Sequence, residues 1–194
     1  MVQMLDTLNR EGLWAVEVGW EPPGIWQGTG ESRTWACRYA TVARWVYDNL
    51  HRGGERTLFL AHGNSGGSSQ IAYALTHYGL DEVIDAALLS GGPPDAPVCS
   101  PQGCLPGTRP PPGHTPELLL SANPRLHYPG TIVRFFLGDQ DDREIINFAN
   151  AYFNAITSAK SMQTVRDTGH GVFATQAGRD AIIAALREAI RSVN

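Results

Sequence analysis

The sequence predicts an α/β protein, a mostly parallel sheet of about five strands with helices on both faces. Three observations carry this expectation. Short apolar runs rich in strand-forming residues alternate with longer stretches whose apolar positions recur every three to four residues. Each apolar run ends in a cluster of Gly, Ser or Asp. And in Thr57–Leu80, TLFLAHGNSGGSSQIAYALTHYGL, a strand-like run passes into a helix-like one with only glycines, Asn64 and Ser65 between them. Strands joined through helices pair in parallel, and sites then form at the carboxyl ends of the strands.

Taken in order, Met4 to Arg10 reads as the end of a helix capped by Gly12, and Leu13 to Val18, LWAVEV, as a strand. Gly19 to Arg33 is a Gly/Pro-rich loop. Its Gly28, Gly30 and Glu31 have neither the lysine nor the tight strand-to-helix junction of a phosphate-binding loop. From Ala36 to His51, Val42, Trp45, Val46 and Leu50 keep helical spacing until Gly53-Gly54. Beyond the Thr57–Leu80 unit, Asp85 to Leu89 is a buried strand. The prolines from Pro93 to Pro116 then exclude regular structure until a short helix at Glu117 to Ala122. This insertion, at about 92–126, is expected to be a lid or binding wall on a single domain spanning 1–194. Thr131 to Leu137 is a strand. Arg143 to Ser158 is a helix with Ile145, Ala149, Tyr152 and Ile156 on one face. Ser161 to Arg166 is a weaker strand, and Gln176 to Val193 a final helix burying Ile182, Leu186, Ile190 and Val193.

The Gly63-Asn64-Ser65-Gly66-Gly67 corner is the most specific signal. A sharp strand-to-helix turn crowds the backbone, so the residues two before and two after its centre should lack side chains, and both are glycine. Ser65 would be exposed near a helix N-terminus, where amides and the macrodipole favour developing negative charge. In that setting G-x-S-x-G is a nucleophile elbow, although a chain with 21 glycines can produce the pattern by chance. On these residues the chain resembles the α/β-hydrolase superfamily.

The resemblance implies a serine esterase- or lipase-like hydrolase whose Ser, acid and His follow in that order along the chain. His170, in the Gly-flanked loop Asp167–Gly171, stands where the superfamily carries its histidine. The superfamily spacing after Gly138 selects Asp141 as the acid, with Asp139 the runner-up. Asp142 reads better as an N-cap or first-turn residue for the helix beginning near Arg143. The backbone amide of Gly66 is the implied oxyanion donor. Trp20 and His62 are candidates for the substrate-binding wall, His62 also for packing behind the site. The substrate class would be a small acyl compound, most simply a carboxylic ester, with no cofactor and no metal. The cysteines and histidines have no ligand spacing that would hold one.

Aligned on the elbow, the chain starts at the helix and strand just before it, so the first three strands of the superfamily are not represented and the fold would be a truncated one. Three explanations stay open: a truncated product, a strand Leu13–Val18 that has moved beside Thr57–His62, or another molecule in the gap. A catalytically impaired binding module is the alternative function, and an exposed sheet edge is where a second copy would pair. The net charge of -4 without a basic block excludes an electrostatic footprint for nucleic acid. No stretch reaches the roughly 20 apolar residues of a membrane span. The chain is expected to be soluble and cytoplasmic as written, or secreted if a leader precedes it. Of the three cysteines, Cys99 and Cys104 could close a small ring or remain thiols.

Overall fold

The computed structural model describes residues 2–20, 32–51, 57–93, 99–100, 103–104 and 120–191. Four parallel strands form one sheet in the order β1-β2-β5-β6: β1 (Leu60–Asn64), β2 (Ala86–Ser90), β5 (Ile132–Gly138) and β6 (Lys160–Val165). Between β2 and β5 lies a separate two-stranded ribbon, β3 (Cys99–Ser100) and β4 (Gly103–Cys104), whose antiparallel register sets Cys99 opposite Cys104. The helices are α1 (Val2–Arg10), α2 (Ser32–Asn49), α3 (Gly66–Tyr78), α4 (Arg143–Ala155) and α5 (Gln176–Arg191).

Helices cover both faces of the sheet, as the alternation of strand and helix predicts. On one face α2, α3 and α4 bury Ala36, Ala40, Ile71, Leu75, Ala149, Tyr152 and Ile156 against Ala87, Leu89, Val133 and Phe135. On the other, α1 and α5 bury Met4, Leu8, Ile182 and Leu186 against Ala86, Leu88 and Phe136. The central strand β2 is buried along its whole length, consistent with its uninterrupted apolar run. Helix ends follow the sequence cues. Gly12 takes φ 83° beyond α1, a left-handed turn that costs glycine nothing. The Asp142 carboxylate caps α4 by accepting from the Glu144 amide at 2.7 Å.

Three expectations need correction. The prolines from Pro93 to Pro116 do not exclude all regular structure, because β3 and β4 pair inside that span. Leu13–Val18 is not a strand: it runs without regular pairing, Trp14 is 85% exposed, and among the described residues the sheet has four strands against the about five expected. Among the described residues nothing pairs with the outer edge of β1, and an apolar run forms a strand only where a neighbour completes its hydrogen bonds. In α2 the small residues Ala36, Ala40 and Ala43 are buried with Val46, whereas Trp45 is 55% exposed. Close approach of α2 to α3 admits alanine where tryptophan would not fit. The Gly28–Glu31 reading, most of the proline-rich insertion and Val193 lie outside the described residues, as do the first three residues of the Glu117–Ala122 helix, whose remainder is a 3-10 turn at Leu120–Ala122.

Candidate active site

All four parallel strands end at the same side of the sheet, and the segments that follow them bring the candidate residues together. After β1 the chain turns through Ser65 straight into α3. Ser65 has φ 54° and ψ -117°, a conformation that non-glycine residues rarely adopt and that costs about 1–3 kcal/mol. The corner is held from two sides: the Ser65 amide donates to the Ser90 carbonyl at 2.9 Å, and the Ser68 hydroxyl reaches both the Ser65 and Ser90 carbonyls, at 2.8 and 3.0 Å. Gly63 is required sterically, because a Cβ there would lie 2.4 Å from the Gly67 carbonyl carbon. Gly67 is not: a Cβ there would meet nothing within 4 Å. Only the strand side of the corner is crowded, since the Gly63 backbone faces the first turn of α3 while the Gly67 position opens outward.

After β5, Gly138 leads into Asp139-Gln140-Asp141-Asp142. A side chain on Gly138 would strike the Thr168 carbonyl oxygen, so glycine lets this loop and the one after β6 pass in contact. The Gln140 amide donates to that same carbonyl at 2.9 Å, and Asp139 accepts from the Thr168 amide at 3.2 Å. Asp139 is thereby spent on bracing the two loops. Asp141 instead turns inward, its side chain 1% exposed, and both carboxylate oxygens lie 3.1 Å from His170 Nδ1. Its Oδ1 also accepts from the Asp142 amide at 2.7 Å, which fixes the carboxylate plane. On the opposite edge of the ring, His170 Nε2 stands 2.7 Å from Ser65 Oγ.

The chemistry of the partners assigns the protons. A carboxylate can only accept, so Nδ1 carries hydrogen toward Asp141 and Nε2 is left to accept from the serine hydroxyl. That arrangement can draw a proton from Ser65 while the carboxylate compensates the imidazolium that forms. The Gly66 amide lies at the first position of α3, one of the helix amides without an intrahelical acceptor.

The remaining candidates fall around this centre. Trp20 Nε1 donates to Gln70 Oε1 at 2.8 Å, and Gln70 Nε2 donates to the Gly66 carbonyl at 3.3 Å, so the Gly19-Trp20 stretch is pinned to the first turns of α3. His62 projects from β1 to the Ser90 hydroxyl, its Nε2 at 3.0 Å. Burial pushes its pKa down to about 4, so at neutral pH it is an uncharged donor behind the site. Four neighbours had no signal in the sequence: Asn64, Gln70, Ser90 and Gly91. The roles of Asn64 and Ser90 depend on the β1–β2 register, which sets them side by side, and that of Gln70 on its contacts with Trp20 and Gly66. A groove of about 620 Å³ formed by described residues lies elsewhere, between β5, β6 and α5. Among the described residues no cluster of His, Cys, Asp and Glu could hold a metal ion, and no helix is long and apolar enough to cross a membrane.

No protein-family model matches the chain, and no protein with a curated description matches it. Solved structures do. A monoacylglycerol lipase from Paleococcus ferrophilus superposes with a TM-score of 0.63 at 15% identity, over 97% of this chain and 88% of the lipase. A dienelactone hydrolase from Anabaena variabilis gives 0.55 at 15% identity over 84% of this chain, and the esterase PE8 gives 0.53 at 18% identity over 81%. The chain spans 61% of the length of each of the latter two. It has the α/β-hydrolase fold. At these identities the likeness extends to the fold alone.

Proposed function

We propose that the protein is a serine hydrolase that cleaves a carboxylic ester or related acyl bond through a covalent acyl-enzyme. The observation that carries this reading is the unbroken chain Asp141–His170–Ser65, with 3.1 Å and 2.7 Å between successive partners at the carboxyl ends of three strands. Ser65 Oγ attacks the substrate carbonyl carbon as its proton passes to His170 Nε2, and Asp141 holds the ring and offsets its charge. The oxygen of the tetrahedral intermediate is stabilised by the Gly66 amide at the start of α3. His170 then protonates the leaving alkoxide, and water returns through the same steps to release the acid. The esterase, lipase and dienelactone hydrolase names of the structural neighbours support an acyl substrate.

A second reading has its own observation. The outer edge of β1, unpaired among the described residues, and the exposed Trp14 favour a hydrolase-like module that binds a partner and turns over slowly or not at all. Turnover of p-nitrophenyl acetate by the wild type against Ser65→Ala separates the two. The hydrolase reading expects the variant to fall to the buffer rate; equal rates in both proteins support the module.

A further inference from the structure

His170 is gripped at its ring by Asp141, and at its backbone by a different group of residues. Asn64 Nδ2 lies 3.3 Å from the His170 carbonyl oxygen. A carbonyl can only accept, so the amide nitrogen must face it, which turns Asn64 Oδ1 toward the Ser90 hydroxyl 3.1 Å away. Ser90 Oγ in turn lies 3.0 Å from His62 Nε2. The Ser90 hydroxyl has one proton and two acceptors at 3.1 Å, Asn64 Oδ1 and the Gly63 carbonyl; with that proton on Asn64 the donors run in one direction, from the His62 ring to Ser90, from Ser90 to Asn64, and from Asn64 to the His170 carbonyl. Bonds aligned in series polarise and strengthen one another. Gly91 completes the seat: a Cβ there would lie 2.3 Å from the same carbonyl oxygen, so the His170 main chain rests on bare backbone.

We propose that Asn64 is a positioning residue for His170, holding the histidine loop to the end of β1 so that the imidazole meets both Ser65 and Asp141. This rests on the serine-hydrolase reading. Asp141 and Ser65 touch only the ring, and the Val172 amide that also donates to the His170 carbonyl, at 3.0 Å, belongs to the same loop; Asn64 is an anchor that ties the main chain of that loop to β1. Ser65 and Asn64 are consecutive, so the element that presents the hydroxyl also fixes the base that must reach it. Rate losses from misplacement by about 1 Å reach roughly 10²-fold, which makes such a tether worth having.

The test compares Asn64→Asp and Asn64→Ala with the wild type, by p-nitrophenyl acetate kinetics and by proton NMR of the low-field His170 Nδ1–H resonance, with a thermal melt of each protein. Asn64→Asp keeps the shape and the acceptor facing Ser90 but has no donor for the carbonyl, so it decides the question even if Asn64→Ala does not fold. Expected are a fall in kcat of about tenfold or more in Asn64→Asp with KM within twofold, and broadening of the Nδ1–H resonance by faster exchange. A kcat within twofold of the wild type, an unaltered resonance in the variant, or no such resonance in the wild type overturns the proposal. A wild type that neither turns over ester nor takes a fluorophosphonate on Ser65 defeats the hydrolase reading instead, while the resonance, which needs no turnover, still decides the tether.

Discussion

Replacing Gly91 by alanine tests whether the geometry around His170 governs activity. The new Cβ would sit 2.3 Å from the His170 carbonyl oxygen and 3.2 Å from Asn64 Oδ1. To reach ordinary van der Waals contact the His170 main chain must withdraw by about 1 Å, the displacement that costs roughly 10²-fold in turnover when it separates reacting groups. The 2.7 Å contact between His170 Nε2 and Ser65 Oγ has no slack to absorb it. A separate effect falls on stability. Gly91 has φ 55°, and a left-handed conformation costs a residue with a Cβ about 1–2 kcal/mol. For a domain of this size that lowers the melting temperature by roughly 2–8 °C. Steady-state kinetics with p-nitrophenyl acetate and a thermal melt read the two effects independently. A folded Gly91→Ala protein with kcat within threefold of the wild type would refute the reasoning, because it would mean that the histidine loop can move without consequence.

Four further outcomes are expected. Gly63→Ala forces a Cβ to within 2.4 Å of backbone and should cost about 3 kcal/mol in urea unfolding; Gly67→Ala meets open space in a helix and should gain about 0.5–1 kcal/mol. Ser65→Gly removes backbone strain of about 1–3 kcal/mol and adds about 0.5–1 kcal/mol of chain entropy cost, so the inactive variant should melt at or above the wild-type temperature. His62, whose pKa is depressed from 6.5 to about 4 in the fold, takes a proton first in the unfolded chain. Stability should therefore decline as pH falls from about 6.5 to about 4, by up to about 3 kcal/mol, and level off below. In His62→Gln that part of the decline should disappear from pH-dependent urea titrations.

The features legible in the sequence were those set by local chemistry. Strand-helix alternation showed in the apolar runs Ala86–Leu89 and Ile132–Leu137, and the caps at Gly12 and Asp142 could be named because a cap is decided within a few residues. Ser65 could be picked out from its glycine-flanked corner, whereas Asp141 and His170 were selected by the resemblance to the α/β-hydrolase order and spacing; parallel strands deliver the loops that carry all three to one side. What depends on neighbours was hidden. Leu13–Val18 is an apolar run like a strand but has no pairing partner among the described residues, and its sequence carries no mark of that. The requirement for glycine is unequal at 63 and 67 because the helix starts by turning over the former and away from the latter. Asp139 and Asp141 have identical side chains, and only the contact of their loop with Thr168 separates a brace from a histidine partner. The Asn64, Ser90 and His62 chain exists through the β1–β2 register, which a single sequence does not encode in any local pattern.

Intact-mass and peptide-mapping spectrometry after incubation with a fluorophosphonate tests the central claim most directly, because the reagent requires a serine activated by its base. Expected is one adduct, on Ser65, forming in folded wild type and at least about 10³-fold more slowly in His170→Ala. A folded wild-type protein that takes no adduct, or takes it on another residue, would contradict it.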